Sequence, residues 1–466
     1  MSQFFQSNSG RRTFLKQSAA LSAGLLLQPQ SILKANSMDD TPIRLGMIGV
    51  GLRGQSLIKD MLTIPGVSIT AMADPDQDMV EKAQNILLQM DQPKAEVYSD
   101  GNYDYQNLID KAGVDAVMIA TPWAWHKVQA TYAMHANMPV GVEVGGALSL
   151  EECWAYVDAY EATETPIMVL ENVCYRRDVM AVLNMVRQGL FGELIHLEGG
   201  YMHDLRGVLF NDGNTPYNSG VEFGQKGMSE AKWRTQHYIT RNADLYPTHG
   251  LGPISTMIDI HRGNRLTHLV SMSSKARGLQ HYIKNHPKGG PEHPNTGIPF
   301  QQGDVVTTQI QCANGETILL KHDTSLQRPY NLGFKVQGTE GIWQDFGWGE
   351  ADQGFIYFEQ KMEYSHQWEN TKTWMETYDH PLWQNLGQAA KDAGHGGMDY
   401  LMCHAFIYCL RHNVPFPLDV YDLATWYAIT PLSEQSIADR KVVDIPDFTR
   451  GKWKEREPVF GMSGDY

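Results

Sequence analysis

The glycine-rich stretch GVGLRG at residues 49–54 constrains the fold of this 466-residue chain more than any other feature. It directly follows IRLGMIGV (43–50), an apolar run that is typical of a buried strand. It precedes a stretch (55–63) that is typical of a helix. A strand, a glycine turn and a helix in this order predict the first unit of a parallel α/β sheet.

Each glycine of G-x-G-x-x-G has its own task in such a unit. Gly49 permits the tight turn, Gly51 lets backbone amides approach a pyrophosphate, and Gly54 lets the helix pack closely on the strand. Asp74 ends the next predicted strand, 25 residues after Gly49, where it would bind the adenosine ribose hydroxyls and repel a 2′-phosphate. The sequence therefore predicts NAD rather than NADP, although Arg53 could hold a phosphate; we interpret Arg53 as a neighbour of the pyrophosphate.

The first part of the chain continues the alternation of strands and helices. Further strands are predicted at 67–76, 114–122, 139–144 and 166–173, and helices at 79–90, 126–137 and from Ser149 onward. Ser149 and Glu152 have the spacing of a capping box. This pattern predicts the α/β fold class, with an N-terminal, NAD-binding Rossmann domain (36–173) built on a doubly wound parallel sheet.

The remainder, residues 174–466, has a different pattern. Long alternating runs at 192–205, 266–277, 304–322 and 330–346 indicate strands, and Asn314-Gly315 inside the third run is a hairpin signal. We expect a substrate-binding α+β domain with a mostly antiparallel open sheet, whose C-terminal segments are free to pack back on the first domain. The stretch 284–303, rich in Gly, Pro and His, predicts a long loop.

The N-terminus is typical of a twin-arginine export signal (1–35). Arg11 and Arg12 are paired, a short apolar run (19–27) follows, and cleavage is expected near Ala35. The run is too short to anchor the chain in a bilayer, and no later stretch predicts a membrane span. We expect export through the twin-arginine route, which carries folded proteins, and a periplasmic location.

Composition limits the partners. Hydrophobic residues make up 42% of the chain, enough for a large core, and the net charge of −15 argues against nucleic acid and anionic membranes as partners. The five cysteines show no CxxC or zinc spacing, so we expect buried thiols and no catalytic metal. A homo-oligomer is compatible with the sequence.

The segment ATPWAWH (120–126) follows a strand, where ligands bind in open α/β sheets. Trp123, Ala124, Trp125 and His126 are therefore expected at the mouth of the cofactor site. The alternative is that one of the two tryptophans is a core residue.

This combination resembles the Gfo/Idh/MocA oxidoreductases. In that family the strand after the TP-x-x-x-H segment ends in E-K-P, and the lysine assists proton removal from the sugar hydroxyl. Here the tripeptide is Glu143-Val144-Gly145. Valine moves no proton, so ordinary dehydrogenation loses its acid–base group.

One branch of the superfamily fits the change. The leader, GVGLRG, WAWH, the EV pair, ENVCYRR (171–177) and YPTHGLGP (246–253) together resemble glycoside hydrolase family 109, the NAD-dependent α-N-acetylgalactosaminidases. The resemblance implies cofactor contacts by Leu52, Arg53, Asp74, Trp123, Trp125, His126, Glu143, Val144 and Asn172. It implies substrate contacts by Tyr201, Arg234, Tyr246, Pro247, Thr248, His249 and, with variable local spacing, Tyr330.

The resemblance also implies the chemistry, in which NAD⁺ is borrowed rather than consumed. Hydride leaves carbon 3 of the sugar, the carbon 2 proton becomes acidic, and the aglycone leaves carbon 1 by elimination. Water adds, and the hydride returns. The expected activity is hydrolysis of terminal N-acetylgalactosaminides, with α linkage, in a glycan or glycoconjugate and with no net redox change.

Candidate proton-transfer residues follow from residue type and spacing. In YPTHG, Tyr246 and His249 would share one face of a helical turn, which Pro247 favours. We assign His249 to the carbon 3 hydroxyl because histidine suits general acid–base work. Tyr175 or Tyr246, with a depressed pKa, is the candidate for the carbon 2 base, and Glu143 would orient one of these groups.

Two questions stay open at this stage. In GHGGMDY (394–400), His395 and Asp399 either line the substrate cleft or belong to a glycine loop that caps the following helix (400–411). A periplasmic NAD(P)-dependent sugar oxidoreductase and a non-catalytic sugar-binding Rossmann protein are the alternative functions. The missing lysine weighs against the first, and the intact acidic, tyrosine and histidine positions weigh against the second.

Overall fold

The computed structural model describes residues 42–145, 147–347, 354–361 and 366–466. The predicted export signal (1–35), its cleavage site and the start of the predicted first domain (36–41) lie outside the described residues. None of the described helices is long and apolar enough to cross a membrane. All five cysteines are buried and free, which confirms that prediction.

Parallel strands form the first sheet, in the spatial order β3-β2-β1-β4-β5-β6. The strands are β1 (Ile43–Ile48), β2 (Val67–Ala73), β3 (Glu96–Tyr98), β4 (Ala116–Ile119), β5 (Val140–Glu143) and β6 (Ile167–Leu170). The doubly wound Rossmann sheet is confirmed; only the three-residue β3 was absent from the sequence prediction. The strand order reverses between β1 and β4, which is where such sheets bind ligands.

Helices cover both faces of this sheet. They are α1 (Leu52–Leu62), α2 (Gln77–Gln89), α3 (Tyr105–Lys111), α4 (Trp123–His135) and α5 (Leu150–Thr163). The Asp76 side chain caps α2, and the Ser149 hydroxyl accepts a hydrogen bond from the Glu152 amide at the start of α5. Four of these helices were predicted, with starts three or fewer residues from the observed ones, while the short α3 was not predicted.

The glycine motif has the packing that its pattern predicts. Gly49 has φ +86°, in the left-handed region. A Cβ on Gly54 would lie 2.2 Å from the carbonyl oxygen of Gly49, so only glycine lets α1 approach β1 this closely. A Cβ on Gly51 would meet nothing within 4 Å, and this space opens toward the end of the sheet.

The second sheet is mostly antiparallel, as expected, with the order β14-β13-β12-β11-β7-β10-β9-β8-β15. Its strands are β7 (Leu194–Met202), β8 (Leu266–Ser273), β9 (Val305–Cys312), β10 (Thr317–Asp323), β11 (Lys335–Gly338), β12 (Gly341–Asp345), β13 (Gly354–Phe358), β14 (Glu369–Asn370) and β15 (Val443–Asp444). β7 and β10 pair in parallel, while the hairpin predicted at Asn314-Gly315 joins antiparallel β9 and β10.

Helices of the second half pack on this sheet and on the first. They are α6 (Arg177–Arg187), α7 (Arg206–Leu209), α8 (Arg234–Thr240), α9 (Thr248–Met257), α10 (Gly278–Asn285), α11 (Lys372–Thr377), α12 (Pro381–Ala390), α13 (Met398–His412) and α14 (Val420–Asp439). The long loop predicted at 284–303 is interrupted, because α10 enters it and 294–297 form a 3₁₀ turn.

Glycines at the contact between α9 and β7 let the helix lie directly against the strand. A Cβ on Gly250 would lie 2.5 Å from the Gly200 amide nitrogen, and one on Gly199 would lie 2.4 Å from the Gly250 carbonyl oxygen. The helix backbone therefore touches the strand backbone. This close approach sets His249 beside Tyr201, with their ring centroids 5.3 Å apart.

C-terminal helices pack back on the first sheet, an arrangement that the sequence left open. Helix α13 contacts α1, and α14 contacts α5 and β6. The Tyr427 hydroxyl of α14 donates to the carbonyl oxygen of Glu143, the last residue of β5.

Substituting the two neighbouring glycines separately tests the packing of α1. We expect Gly54→Ala to lower the free energy of unfolding by roughly 3 kcal/mol, because the new methyl group overlaps a backbone oxygen. Gly51→Ala is the matched control and should cost no more than about 1 kcal/mol, since its methyl group meets open space. Thermal unfolding measures both, and equal losses would contradict this account of the motif.

Candidate active site

A cavity of about 880 Å³ lies at the carboxyl ends of the first sheet and extends to the second half of the chain. Many of the predicted site residues line it: Gly49, Gly51, Leu52, Arg53, Asp74, Trp123, Trp125, His126, Glu143, Val144, Asn172, Tyr201, Arg234, Tyr246 and His249. Residues of the stretches 214–217 and 228–234 close its opposite side. The volume is that of a ligand site rather than a packing defect.

The nucleotide end has the features that a dinucleotide needs. Asp74 lies in the cavity wall just after β2, and its carboxylate accepts hydrogen bonds from the backbone amides of Val50 and Asp76 at 2.9 Å. These bonds orient the carboxylate beside the glycine turn. The open space over Gly51 leaves room for a pyrophosphate at the start of α1. The residues present therefore fit NAD.

Arg53 lines the cavity beside the glycine turn and forms ion pairs with two carboxylates. Its Nε donates to Glu143 Oε1 at 2.6 Å, and its Nη1 donates to Asp399 Oδ2 at 2.7 Å. Burial alone lowers the pKa of Arg53, but the two carboxylates raise it well above its usual value. The guanidinium lines the cavity, yet its charge is already matched by carboxylates, so it is not a free phosphate ligand.

Aromatic groups surround the middle of the cavity. Trp123 has ring contacts with Trp233, His237 and Tyr246 at centroid distances of 5.1, 5.1 and 5.8 Å. The residue is 8% exposed, so it is a packed residue that still faces the cavity, which combines the two interpretations made from the sequence. Trp125 contacts Tyr103 instead.

His126 is held neutral. Its Nε2 donates to the Thr121 carbonyl oxygen at 2.6 Å, and burial lowers its pKa to about 4. A neutral, anchored imidazole at the start of α4 shapes the cavity wall and adds no charge beside the cofactor.

Arg234 places hydrogen-bond donors in the part of the cavity that Trp123 and Tyr246 line. Its guanidinium lies 5.0 Å from the ring centroids of both Trp123 and Tyr246, and Nη1 donates to Glu230 Oε2 at 2.5 Å. Within the described part of the chain, its buried Nε and Nη2 atoms have no hydrogen-bond partner. A buried donor without a partner is costly, so these atoms are suited to a polar ligand.

His249 and Tyr246 converge on the same end, as the spacing in YPTHG predicted. Their ring centroids lie 4.8 Å apart, and Tyr201 lies 4.6 Å from Tyr246. Pro247 occupies the residue before α9, which agrees with the predicted helix entry.

A buried carboxylate that the sequence analysis did not single out fixes His249. Glu171, which follows β6, is fully buried, and His249 Nδ1 donates to its Oε1 and Oε2 at 2.7 and 2.9 Å. This leaves Nε2 as the ring nitrogen for a ligand. Glu171 opens the quoted ENVCYRR segment, and an acid directly after a buried strand was the available signal.

The structure does not bring Tyr175 to the cavity. The ring is fully buried against Phe460, 5.1 Å away between centroids, and burial raises its pKa well above the usual value. Its selection as a carbon 2 base is therefore a wrong prediction. The turn 172–175 directs Asn172 to the cavity and Tyr175 into the core.

Other predicted residues lie just behind the cavity wall. Gly54 packs against Gly49, and Thr248 is fully buried in the first turn of α9. Tyr330 lies behind Tyr201 at 6.4 Å between ring centroids, and Ala124 and Pro247 are likewise outside the cavity lining.

The sequence analysis required a lowered pKa for a tyrosine base, but the pKa of Tyr246 is raised. Burial raises the pKa of Tyr246 well above its usual value, and the charge of Arg234 only partly offsets this effect. Tyr246 is neutral in this environment, so it has a proton to donate before it can accept one.

Comparisons with known proteins agree with this geometry. Residues 43–171 match the oxidoreductase family with an NAD-binding Rossmann fold, and residues 175–455 match the C-terminal domain of glycosyl hydrolase 109. The chain belongs to glycoside hydrolase family 109. It is a glycosidase with an NAD-binding Rossmann domain.

Relatives in this family align with nearly the whole chain. A glycosyl hydrolase family 109 protein of Stenotrophomonas maltophilia (strain K279a) is 48% identical over 461 residues, which cover 98% of this chain and 99% of the relative. A protein of Tannerella forsythia named alpha-N-acetylgalactosaminidase is 45% identical over 473 residues, covering 97% and 99%.

Solved structures share the fold at low identity. Levoglucosan dehydrogenase in complex with NADH and levoglucosan has a TM-score of 0.63 at 19% identity, covering 87% of this chain and 100% of that one. An NAD binding oxidoreductase from Klebsiella pneumoniae has a TM-score of 0.64 at 16% identity, with the same coverage. The family 109 chain therefore has the architecture of these dehydrogenases.

Proposed function

We propose that this family 109 glycosidase hydrolyses terminal α-N-acetylgalactosaminides by oxidation, elimination, water addition and reduction, with no net redox change. The relative from Tannerella forsythia, at 45% identity, is named for this activity, as is one from Shewanella oneidensis at 38% identity. The substrate is a glycan or glycoconjugate that carries this terminal sugar.

One observation carries the mechanism. Val144 lines the cofactor cavity at the position where the resemblance to the Gfo/Idh/MocA oxidoreductases implies lysine. The valine is 6% exposed and offers no titratable group. The acid–base group nearest in role is His249, which reaches the cavity from the second half of the chain and is held by Glu171 of the first.

His249 handles the proton of the carbon 3 hydroxyl. Glu171 holds Nδ1, so Nε2 accepts this proton as the carbon–hydrogen bond is oxidised and returns it when the bond is restored. The glycine turn and Asp74 would hold NAD, which would supply a reversible hydride acceptor for carbon 3. Because Glu171 is fully buried, it stays fixed while the imidazole charge changes.

Tyr246 is the remaining candidate for exchange of the carbon 2 proton. It lines the cavity beside His249, unlike Tyr175. Arg234 lies 5.0 Å from its ring centroid and lowers the cost of a transient tyrosinate. Tyr246 first gives its phenolic proton to the aglycone oxygen that leaves carbon 1, and the resulting tyrosinate accepts the carbon 2 proton as the double bond forms. Water then adds its oxygen to carbon 1, and carbon 2 regains a proton.

A sugar oxidoreductase is the second candidate, because the solved structures of similar fold include dehydrogenases. It predicts an oxidised sugar and net reduction of the cofactor. A non-catalytic sugar-binding protein predicts neither product. Supplying p-nitrophenyl α-N-acetylgalactosaminide without added NAD distinguishes these alternatives, since only the hydrolase releases p-nitrophenol repeatedly.

Solvent isotope labelling tests the proposed mechanism. Hydrolysis in deuterium oxide should place deuterium at carbon 2 of the released sugar, because elimination removes that hydrogen and direct displacement never touches it. NMR or mass spectrometry of the product measures the label, and absorbance at the NADH band should show no net reduction. A hydrolysed product that keeps its original carbon 2 hydrogen would count against elimination.

The His249–Glu171 pair gives a second prediction. His249→Ala should lower kcat by about 100-fold or more, the usual scale for a general acid–base group. Glu171→Gln should lower kcat by about tenfold or more with little change in KM, because the imidazole loses its charged orienting partner. Bound NAD, quantified after denaturation, should stay near the wild-type level in His249→Ala. Wild-type turnover in either variant would remove that residue from the mechanism.

We further propose export by the twin-arginine route to the periplasm. The Arg11-Arg12 pair and the apolar run that follows support this proposal. Replacing both arginines with lysine should leave the enzyme in the cytoplasm at its full precursor length. Unchanged periplasmic activity in fractionated cells would refute the proposal.

A further inference from the structure

The glycine strap, residues 394–397 between α12 and α13, carries His395 into the wall of the cofactor cavity. Three consecutive residues, His395, Gly396 and Gly397, have φ angles of 51°, 68° and 95°. Glycine adopts such angles at little cost, but histidine does not. A histidine held in this conformation at a cavity indicates that its side chain has a task there.

The strap is anchored on both sides. The Gly394 amide donates to Asp60 Oδ1 of α1 at 3.1 Å. Gly397 is packed so tightly that a Cβ would lie 2.7 Å from the Ala390 carbonyl oxygen and 3.0 Å from the Trp383 ring. The backbone is therefore fixed between α1, whose start faces the cofactor, and α12.

Asp399 fixes the direction of the imidazole. Its Oδ2 accepts a hydrogen bond from His395 Nδ1 at 2.7 Å, while Oδ1 accepts one from Asn172 at 2.7 Å and both oxygens bind Arg53. The His395 side chain is 55% exposed, and the Asp399 side chain is fully buried. The remaining nitrogen, Nε2, is left for a ligand at the cavity wall, and it is a donor when the imidazole carries both protons.

The charges around the strap favour a cationic His395. Arg53 faces two carboxylates, Glu143 and Asp399, and the carboxyl group of Asp60 lies beside the strap, so without His395 the acidic groups of this cluster outnumber its one guanidinium. The hydrogen bond and charge of Asp399 raise the pKa of His395. An imidazolium beside the start of α1 is suited to an anionic cofactor.

We propose that His395 contacts bound NAD and that the glycine strap retains the cofactor through the catalytic cycle. The chemical class recognised is the anionic, hydroxyl-rich dinucleotide backbone. The proposal rests on the NAD-binding fold and goes beyond the proposed hydrolysis. Retention suits that function, because a hydride stored on the cofactor is lost to the reaction if the cofactor leaves before it is returned.

Release of NAD, rather than activity, tests the proposal. Protein loaded with isotopically labelled NAD is diluted into excess unlabelled NAD, and the label that remains bound is followed in time. His395→Ala should release NAD about tenfold or more faster than the wild type, the scale of one lost hydrogen bond to a charged group. Asp392→Ala, in the exposed residues just before the strap, is the matched control and should match the wild type.

A second variant separates the side chain from the backbone. His395→Gly removes the imidazole but accepts the left-handed angle, so the strap keeps its shape. It should release NAD as fast as His395→Ala, with thermal stability equal to or above that of the wild type. Wild-type release from His395→Gly would overturn the proposal. Fast release combined with an absence of hydrolytic activity in the wild type would leave the strap proposal standing and refute only the proposed function.

Discussion

The ion-pair cluster on Arg53 joins the two halves of the molecule at the cofactor site. One guanidinium in the first turn of α1 binds Glu143 at the end of β5 and Asp399 in α13. Both carboxylates are almost wholly buried, so removing one partner would leave a charge without compensation in a poorly hydrated site. The start of α1, the end of β5 and the strap before α13 are consequently fixed together, and they form the wall against which a nicotinamide cofactor binds.

Val144 leaves the end of β5 without the titratable group that a dehydrogenase of this fold is expected to carry there. The strand end that carries lysine in related dehydrogenases keeps its glutamate, but Glu143 is committed to Arg53 and burial raises its pKa. In the proposed mechanism the acid–base group is instead His249, which glycine contacts between α9 and β7 bring to the cavity and which Glu171 fixes. That mechanism places the proton-transfer group on α9 and leaves the end of β5 to the ion pair with Arg53.

The sequence predicted where the short motifs lie in the fold, but it did not predict which way each of their side chains points. The glycine motif, Asp74 and YPTHG define short backbone units, so their positions in the cavity follow from a few neighbouring residues. Tyr175 was wrong because a single 3₁₀ turn decides which of its residues faces the cavity and which faces the core. Glu171 and Asp399 act through contacts 78 and 346 positions away in the chain, and no local pattern contains such partners.

A mechanism that removes and returns a hydride also has to remove and return two protons of the sugar. In the proposed mechanism, the carbon 3 proton has to stay available between oxidation and reduction while a second proton leaves and returns at carbon 2. His249 meets the first demand because its partner Glu171 is fully buried and balances the imidazolium charge without exchanging with solvent. Tyr246, 4.8 Å from His249 between ring centroids and 5.0 Å from the Arg234 guanidinium, would meet the second once it has given up its own phenolic proton. Two separate proton sites in one cavity keep the transfers at carbon 3 and carbon 2 on different groups.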